Sequence, residues 1–214
     1  MTKKERVAAL RRILDTIYPD VKCTLTYSNP LQMLIATQLS AQCTDARVNI
    51  VTKDLFARYH TAEDYANADI LELQELIRSA GFYKNKSKNI IACCQRLCEV
   101  YGGEVPDTME DLLTLAGTGR KTANLVLGDI FHKPAVVVDT HCIRLTNRIG
   151  LVKDDDPVKI EFALKKILPD DYQLRFCHHM VHHGRVRCTA RKPDCANCEI
   201  AALCKSAPKV NKLI

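Results

Sequence analysis

Long apolar runs are absent from this sequence, and so are tryptophan, internal repeats and low-complexity segments. No stretch approaches the roughly 20 apolar residues that a membrane-spanning helix requires, which excludes an integral membrane protein. The first residues are basic and lead into an amphipathic pattern, whereas a secretory signal peptide needs an apolar core. We therefore expect a cytoplasmic protein with no membrane partner.

The eleven cysteines are accordingly not expected to form a disulfide scaffold. Seven are scattered, several of them in helical apolar patterns, where cysteine behaves as a small hydrophobic residue. The other four are spaced C-x6-C-x2-C-x5-C and can converge on one metal centre. The spacing favours a [4Fe-4S] cluster, and zinc stays open as the alternative. These four are Cys188, Cys195, Cys198 and Cys204.

The net charge of +6 is concentrated near the end of the chain. From Gly184 onward, seven basic residues stand against two acidic ones. Such a segment fits a nucleic-acid partner, and it fits an ordinary solvated tail about as well. Because Arg187, Arg191 and Lys192 lie in or beside the cysteine loop, we predict that they contact the DNA backbone.

Apolar residues recur at helical spacing along nearly the whole chain, and capping residues, prolines and glycines separate the helices. Residues 81–86 interrupt this pattern before a long helix. The Ala-Val-Val-Val run at 135–138 has strand propensity, but it is isolated among helices and is predicted to be an extended buried connector. The predicted fold class is all-α, in one or two domains.

Residues 112–123 predict a short helix, a tight hairpin and a second helix that begins near Arg120. Gly117 and Gly119 stand where the hairpin needs a positive φ or close backbone approach. The amides of the hairpin and of the first helical turn have no partner within that helix. They can therefore hold an anion, and a DNA phosphate is the obvious candidate.

Lys121 and Asp139 are the candidate catalytic residues. Helical spacing directs Lys121 away from the apolar stripe of its helix, and its place beside Arg120 at a positive helix end favours the neutral, nucleophilic amine. Asp139 is predicted to cap the helix that follows, and His141, Arg144 and Arg148 form a candidate phosphate-contacting face on that helix. The ordinary alternatives are a solvated lysine and a plain helix cap.

Four histidines between 178 and 183 form two pairs at i and i+4, a spacing that can bind metal. They lack the glutamate of an H-E-x-x-H motif, so packing or phosphate contact is the preferred interpretation.

Together these motifs resemble the endonuclease III family, the bifunctional DNA glycosylase/AP lyases of the helix-hairpin-helix superfamily. The resemblance rests on the hairpin at 115–123, on Val-Asp-Thr-His at 138–141 and on the cysteine loop, with further matches at 39–45 and 81–83. Three positions depart from the family pattern. Ala116 and Thr118 stand where the family typically has proline and valine, and Met180 replaces a usual tryptophan.

The resemblance implies a two-domain, all-α helix-hairpin-helix glycosylase fold. A six-helix domain at 23–132 would contain the hairpin. A second domain would join 1–22 to 133–214 and hold a [4Fe-4S] cluster in the loop 188–204, with DNA crossing between the two domains.

The resemblance also implies base excision repair of double-stranded DNA with oxidised pyrimidines or abasic sites. Lys121 would attack C1′ of the flipped nucleotide, and the Schiff base would permit β-elimination. Asp139 would stabilise positive charge on the sugar. Gln42 resembles the family's polar plug and Phe82 its apolar wedge, although core packing is an equal alternative for Phe82. A monomeric enzyme acting at the bacterial nucleoid is expected.

Two other functions compete with this one. A monofunctional adenine or mismatch glycosylase could contain the same cluster, but those relatives typically lack a lysine at the position of Lys121. A non-catalytic DNA-binding or redox-sensing protein would need neither Lys121 nor Asp139.

Overall fold

The computed structural model describes residues 1–207, so Lys209 and Lys212 of the basic end lie outside the described residues. These residues form eleven α-helices and no β-strand, which confirms the predicted fold class. Two compact units are present. One is Thr24–Lys133, and the other joins Met1–Cys23 to the segment that begins at Pro134.

The helices follow in the order α1 Lys3–Ile17, α2 Pro30–Leu39, α3 Asp45–Arg58, α4 Ala62–Ala66, α5 Ile70–Leu76, α6 Tyr83–Tyr101, α7 Met109–Leu112, α8 Arg120–Asp129, α9 Thr140–Ile149, α10 Pro157–Lys165 and α11 Gln173–Val186. Short 3₁₀ turns occupy Arg78–Ala80, Asp170–Tyr172 and Ala201–Leu203. None of the helices described is long and apolar enough to cross a membrane.

Helix beginnings coincide with the capping residues in the sequence. A side-chain oxygen accepts a backbone N–H in the first turn, which satisfies a donor that the helix itself leaves unpaired. Such caps are Thr2, Asn29, Thr44, Thr61, Asp69, Thr108, Asp139 and Asp156.

The unit Thr24–Lys133 is organised around α2. This helix is buried from Met33 to Leu39 and packs against α3, α6 and α8, as expected for a helix that is apolar on most sides. The unit contains seven α-helices where six were expected, because α4 and α5 are separate short helices with their own caps.

The predicted interruption at 81–86 is shorter in the structure. Only Gly81 and Phe82 stand outside a helix, because α6 already begins at Tyr83. Gly81 adopts φ +72° and Phe82 adopts φ +51°, so this left-handed pair is what separates α6 from the preceding turn.

The other unit packs α9 against α11. The buried face of α9 repeats at helical spacing and consists of Cys142, Leu145, Thr146 and Ile149. The run 135–138 is a buried connector that belongs to neither a helix nor a strand, which confirms the choice of a connector over a strand. Arg6 of α1 donates from Nη1 to the carbonyls of Ile149 at 2.8 Å and Leu203 at 3.0 Å, which ties α1 to the end of the described chain.

Candidate functional site

The hairpin before α8 requires glycine at one position. Gly117 has φ +73°, and a Cβ there would lie 3.0 Å from Cβ of Asn89 and 3.2 Å from Oε1 of Gln38. Of the two reasons predicted for glycine, a positive φ does not apply to Gly119, because its φ is −97°, and a Cβ there would meet no atom within 4 Å. Gly119 caps α8 without a side-chain hydrogen bond, so the backbone at this helix end is open to a close approach.

Gln38 supports the hairpin from the buried side. Its Nε2 donates to the Ala116 carbonyl at 3.0 Å and to Thr118 Oγ1 at 3.2 Å. Both side-chain partners, Gln38 and Thr118, are buried. Sequence reasoning missed this residue, although a glutamine in the otherwise apolar second half of α2 is a recognisable signal.

Lys121 occupies the second position of α8 and is exposed, whereas the residues 122–128 that follow it are all buried. The helix therefore presents its lysine to solvent directly after the hairpin, as helical spacing predicts.

Asp139 lies in the other unit and caps α9. The backbone N–H of Cys142 donates to its Oδ1 at 2.7 Å, which confirms the predicted cap. This contact uses one carboxylate oxygen of a half-buried side chain at the N-terminal end of a helix.

Gln42 and Phe82 share an unusual backbone conformation. Their φ angles are +54° and +51°, a left-handed region that is uncommon for residues other than glycine. Both side chains are exposed, and Phe82 retains 62% of its accessible surface. The core-packing alternative for Phe82 is therefore wrong.

The basic face of α9 contacts the cysteine loop. Arg144 Nη2 donates to the carbonyls of Gly184 at 3.1 Å and Cys188 at 3.0 Å, and it lies 3.2 Å from Nδ1 of His141. Arg148, which follows one turn later, donates to the carbonyls of Thr189 and Ala190, both at 2.8 Å. This face was expected to contact phosphate, and in the structure its guanidinium groups stabilise the loop.

Within the loop, Arg187 pairs with Asp194 and Glu199, each at 2.8 Å. The Arg187 guanidinium lowers the pKa of Glu199, and a hydrogen bond from Asn197, together with Arg187, lowers the pKa of Asp194. Arg187 is thus engaged inside the loop, while Arg191 and Lys192 are exposed on it.

The buried histidines of α11 are packing residues. His179 Nδ1 lies 3.1 Å from the Tyr172 hydroxyl, and His183 Nδ1 lies 3.1 Å from the Tyr18 hydroxyl. Burial lowers the pKa of each histidine to about 4, so both rings are neutral at neutral pH. Among residues 1–207, no group of three or more His, Cys, Asp or Glu side chains is arranged to bind a single metal ion.

All four cysteines of the loop line one cavity of about 180 Å³, together with Arg148 and His183. Water occupies about 30 Å³ in the liquid, so this space suits a group of several atoms better than one ion. Two of the thiols already have nitrogen neighbours, since Arg148 Nη1 donates to Cys188 Sγ at 3.3 Å and His183 Nε2 lies 3.5 Å from Cys198 Sγ. The cavity therefore fits an iron-sulfur cluster bound by four thiolates.

Comparison with known proteins supports the same conclusion. Residues 35–170 match the family model of HhH-GPD superfamily base excision DNA repair proteins, and residues 188–204 match the iron-sulfur binding domain of endonuclease III. The chain is 50% identical to endonuclease III of Synechocystis sp. over 207 residues, which cover 96% of this chain and 94% of the relative. It is 42% identical to endonuclease III of Bacillus subtilis, over 92% of this chain and 90% of that protein.

The chain belongs to the endonuclease III family. A solved structure described as a non-covalent endonuclease III–DNA complex superposes with a TM-score of 0.91 at 41% identity, covering 97% of each chain. A trapped endonuclease III–DNA covalent intermediate gives the same score and identity, covering 97% of this chain and 98% of the other. As a member of this family, the protein is a base excision repair DNA glycosylase and AP lyase with a [4Fe-4S] cluster, so the zinc alternative is set aside.

Proposed function

We propose that this protein removes oxidised pyrimidines, such as thymine glycol, from double-stranded DNA and then cleaves the strand at the abasic site. The observation that carries the proposal is the exposed Lys121, placed directly after the glycine hairpin on a helix whose residues 122–128 are buried. A covalent DNA intermediate trapped with a chain 41% identical to this one supports covalent chemistry.

Lys121 is the proposed nucleophile. Its amine attacks C1′ of the extruded nucleotide, the glycosidic bond breaks, and the base departs with the bonding electrons. Loss of a proton from nitrogen and opening of the sugar give a Schiff base, which acidifies the proton at C2′. Removal of that proton eliminates the 3′ phosphate, so one amine accounts for both activities.

Asp139 is the proposed electrostatic partner. An ionised carboxylate stabilises positive charge that develops on the sugar as the base leaves, and it can accept a proton from the Lys121 amine. Its capping bond to the Cys142 amide fixes the side chain in one orientation. The capping role and the catalytic role are therefore compatible in the same residue.

The DNA interface combines two kinds of contact. The hairpin backbone at Gly117 and Gly119 offers amides to a phosphate, and Arg120 adds a positive charge at the same helix N-terminus. The exposed Gln42 and Phe82 fill the gap that the extruded nucleotide leaves, the first as a polar plug and the second as an apolar wedge.

Cys188, Cys195, Cys198 and Cys204 are the proposed cluster ligands. When bound, the cluster supplies a rigid cross-link of the loop, which positions the exposed Arg191 and Lys192 toward the DNA backbone. His141, Arg144 and Arg187 then contribute by ordering the same region, as their contacts indicate. We also propose that the enzyme is a monomer and acts at the nucleoid in the bacterial cytoplasm. Light scattering of the purified protein tests whether it is a monomer.

Borohydride trapping tests the proposed substrates. Three duplexes are compared: the first contains one thymine glycol, the second contains one abasic site, and the third is undamaged. Covalent adducts on both damaged duplexes and none on the third are expected. Trapping on the abasic duplex alone would contradict the assignment of oxidised pyrimidines, and trapping on neither would contradict the bifunctional mechanism.

A further inference from the structure

Lys86 is a buried lysine that the proposed mechanism does not use. It lies in the first turn of α6 and retains only 7% of its accessible surface. Its Nζ donates to the Leu39 carbonyl at 2.8 Å and to the Ala80 carbonyl at 2.9 Å. Burial lowers the pKa of this amine. The hydrogen bonds to the two carbonyls compensate for the removal of the ammonium from water.

The two carbonyls lie at the ends of two different helical segments, each of which leads into a loop. Leu39 is the last residue of α2, and Gln42 follows three residues later. Ala80 ends the turn Arg78–Ala80, and Phe82 follows two residues later. Carbonyls at helix ends lack partners within the helix and attract a cation, so one ammonium satisfies both ends at once.

We propose that Lys86 is a positioning residue that holds the Gln42 loop and the Phe82 loop in a fixed relative arrangement, so that plug and wedge enter the DNA together. The inference rests on the roles proposed above for Gln42 and Phe82. Both of those residues adopt a positive φ, and such conformations persist only where surrounding contacts fix the backbone. Lys86 supplies a contact of this kind to both loops.

The test separates extrusion of a nucleotide from the chemistry that follows. Lys86→Met keeps the length and apolar stem of the side chain but removes every donor. With this variant we expect single-turnover excision of thymine glycol from a duplex to slow by about tenfold or more, because extrusion leaves a gap that must be filled. The rate of borohydride trapping on an abasic site in single-stranded DNA should stay within about twofold of wild type, because a single strand has no opposite base that is left unpaired.

Two further variants complete the set. Lys53→Met removes an exposed lysine from α3 and leaves both rates unchanged. Lys86→Gln retains two N–H donors and should give an excision rate between those of wild type and Lys86→Met. If circular dichroism shows that Lys86→Met is unfolded, Lys86→Gln replaces it in both assays. The proposal would be overturned if Lys86→Met slowed duplex excision and single-strand trapping by the same factor, or if it did not slow duplex excision at all.

A double-mutant cycle shows whether Lys86 acts through the loops. In a Gln42→Ala, Phe82→Ala background, removing the ammonium is expected to slow excision by less than about twofold, because there is no plug or wedge to position. A tenfold slower excision in that background would contradict the role of Lys86, and the roles proposed for Gln42 and Phe82 would still stand. If instead Gln42→Ala, Phe82→Ala alone leaves duplex excision unchanged, the proposed roles of those two residues fail.

Discussion

The side-chain amide of Gln38 donates to Thr118 Oγ1 at 3.2 Å, so a buried glutamine and a buried threonine fix the underside of the hairpin. Thr118 is one of the positions where the sequence departs from the pattern that it otherwise resembles, with threonine in place of valine. The same amide donates at 3.0 Å to the carbonyl of Ala116, which is the second departure. A hydrogen-bonded pair thus occupies the place where an apolar contact would be expected.

Removing either member of this pair is expected to destabilise the protein. Thr118→Val costs about 1 kcal/mol of unfolding free energy in urea titrations, because it leaves a buried amide donor with one partner fewer. Gln38→Leu costs about 1–3 kcal/mol, since it removes two bonds. The double variant should lose about 1 kcal/mol less than the sum, as expected for residues in contact. Exactly additive losses would argue against the contact, and Thr16→Val, at an exposed position of α1, is the control.

The two hairpin glycines are expected to respond differently to alanine. Gly117→Ala introduces a Cβ at φ +73° and 3.0 Å from Asn89, so both stability and affinity for abasic-site DNA should fall. Gly119→Ala meets no protein atom within 4 Å, so stability should change by less than about 1 kcal/mol while DNA affinity falls, because a phosphate must approach this backbone. Thermal unfolding and fluorescence anisotropy measure the two effects. Equal DNA affinity of Gly119→Ala and wild type would argue against phosphate binding at this turn.

Acid is expected to destabilise the unit that contains α11 through His179. Its pKa is about 4 in the fold and about 6.5 in the unfolded chain, so between these values only the unfolded chain binds the proton. The free energy of unfolding therefore falls as the pH is lowered from about 6.5 to about 4, by about 3 kcal/mol for this group. Urea midpoints across this range should show a weaker pH dependence for His179→Gln. His60→Gln, at an exposed position, should keep the dependence of wild type, and an unaltered slope in His179→Gln would contradict the assignment.

Iron content tests the proposed ligands. Wild type purified without oxygen is expected to hold about four iron atoms per chain and to absorb broadly in the visible range. Cys198→Ser should lose most of the iron and part of the DNA affinity, because the loop with Arg191 and Lys192 loses its cross-link. Cys98→Ser on α6 is the matched control and should retain the iron. Full iron occupancy in Cys198→Ser would exclude that residue as a ligand.

Local signals were sufficient for much of the fold and for part of the site. The start of α8 at Arg120 and the cap at Asp139 depend on residues within one helical turn, and both could be predicted from the sequence. The shorter interruption before α6 could not, because two left-handed residues, Gly81 and Phe82, replace the longer loop that the polar sequence suggested.

Contacts between distant residues explain what the sequence did not reveal. Gln38 meets the Ala116 carbonyl across 78 positions, and Arg144 meets the Cys188 carbonyl across 44. Lys86 stands in a run of lysines and asparagines that indicates a solvated surface, yet it is buried. Such partners depend on packing, and no local pattern specifies them.

The identity of the nucleophile is tested most directly by locating the trapped cross-link. After borohydride reduction on an abasic duplex, the adduct is digested with protease and the modified peptide is sequenced by mass spectrometry. We expect a cross-link on Lys121, no adduct with Lys121→Ala, and a normal adduct with Lys53→Ala, which changes an exposed lysine on α3. A cross-link on any other lysine or on the N-terminal amine would contradict it.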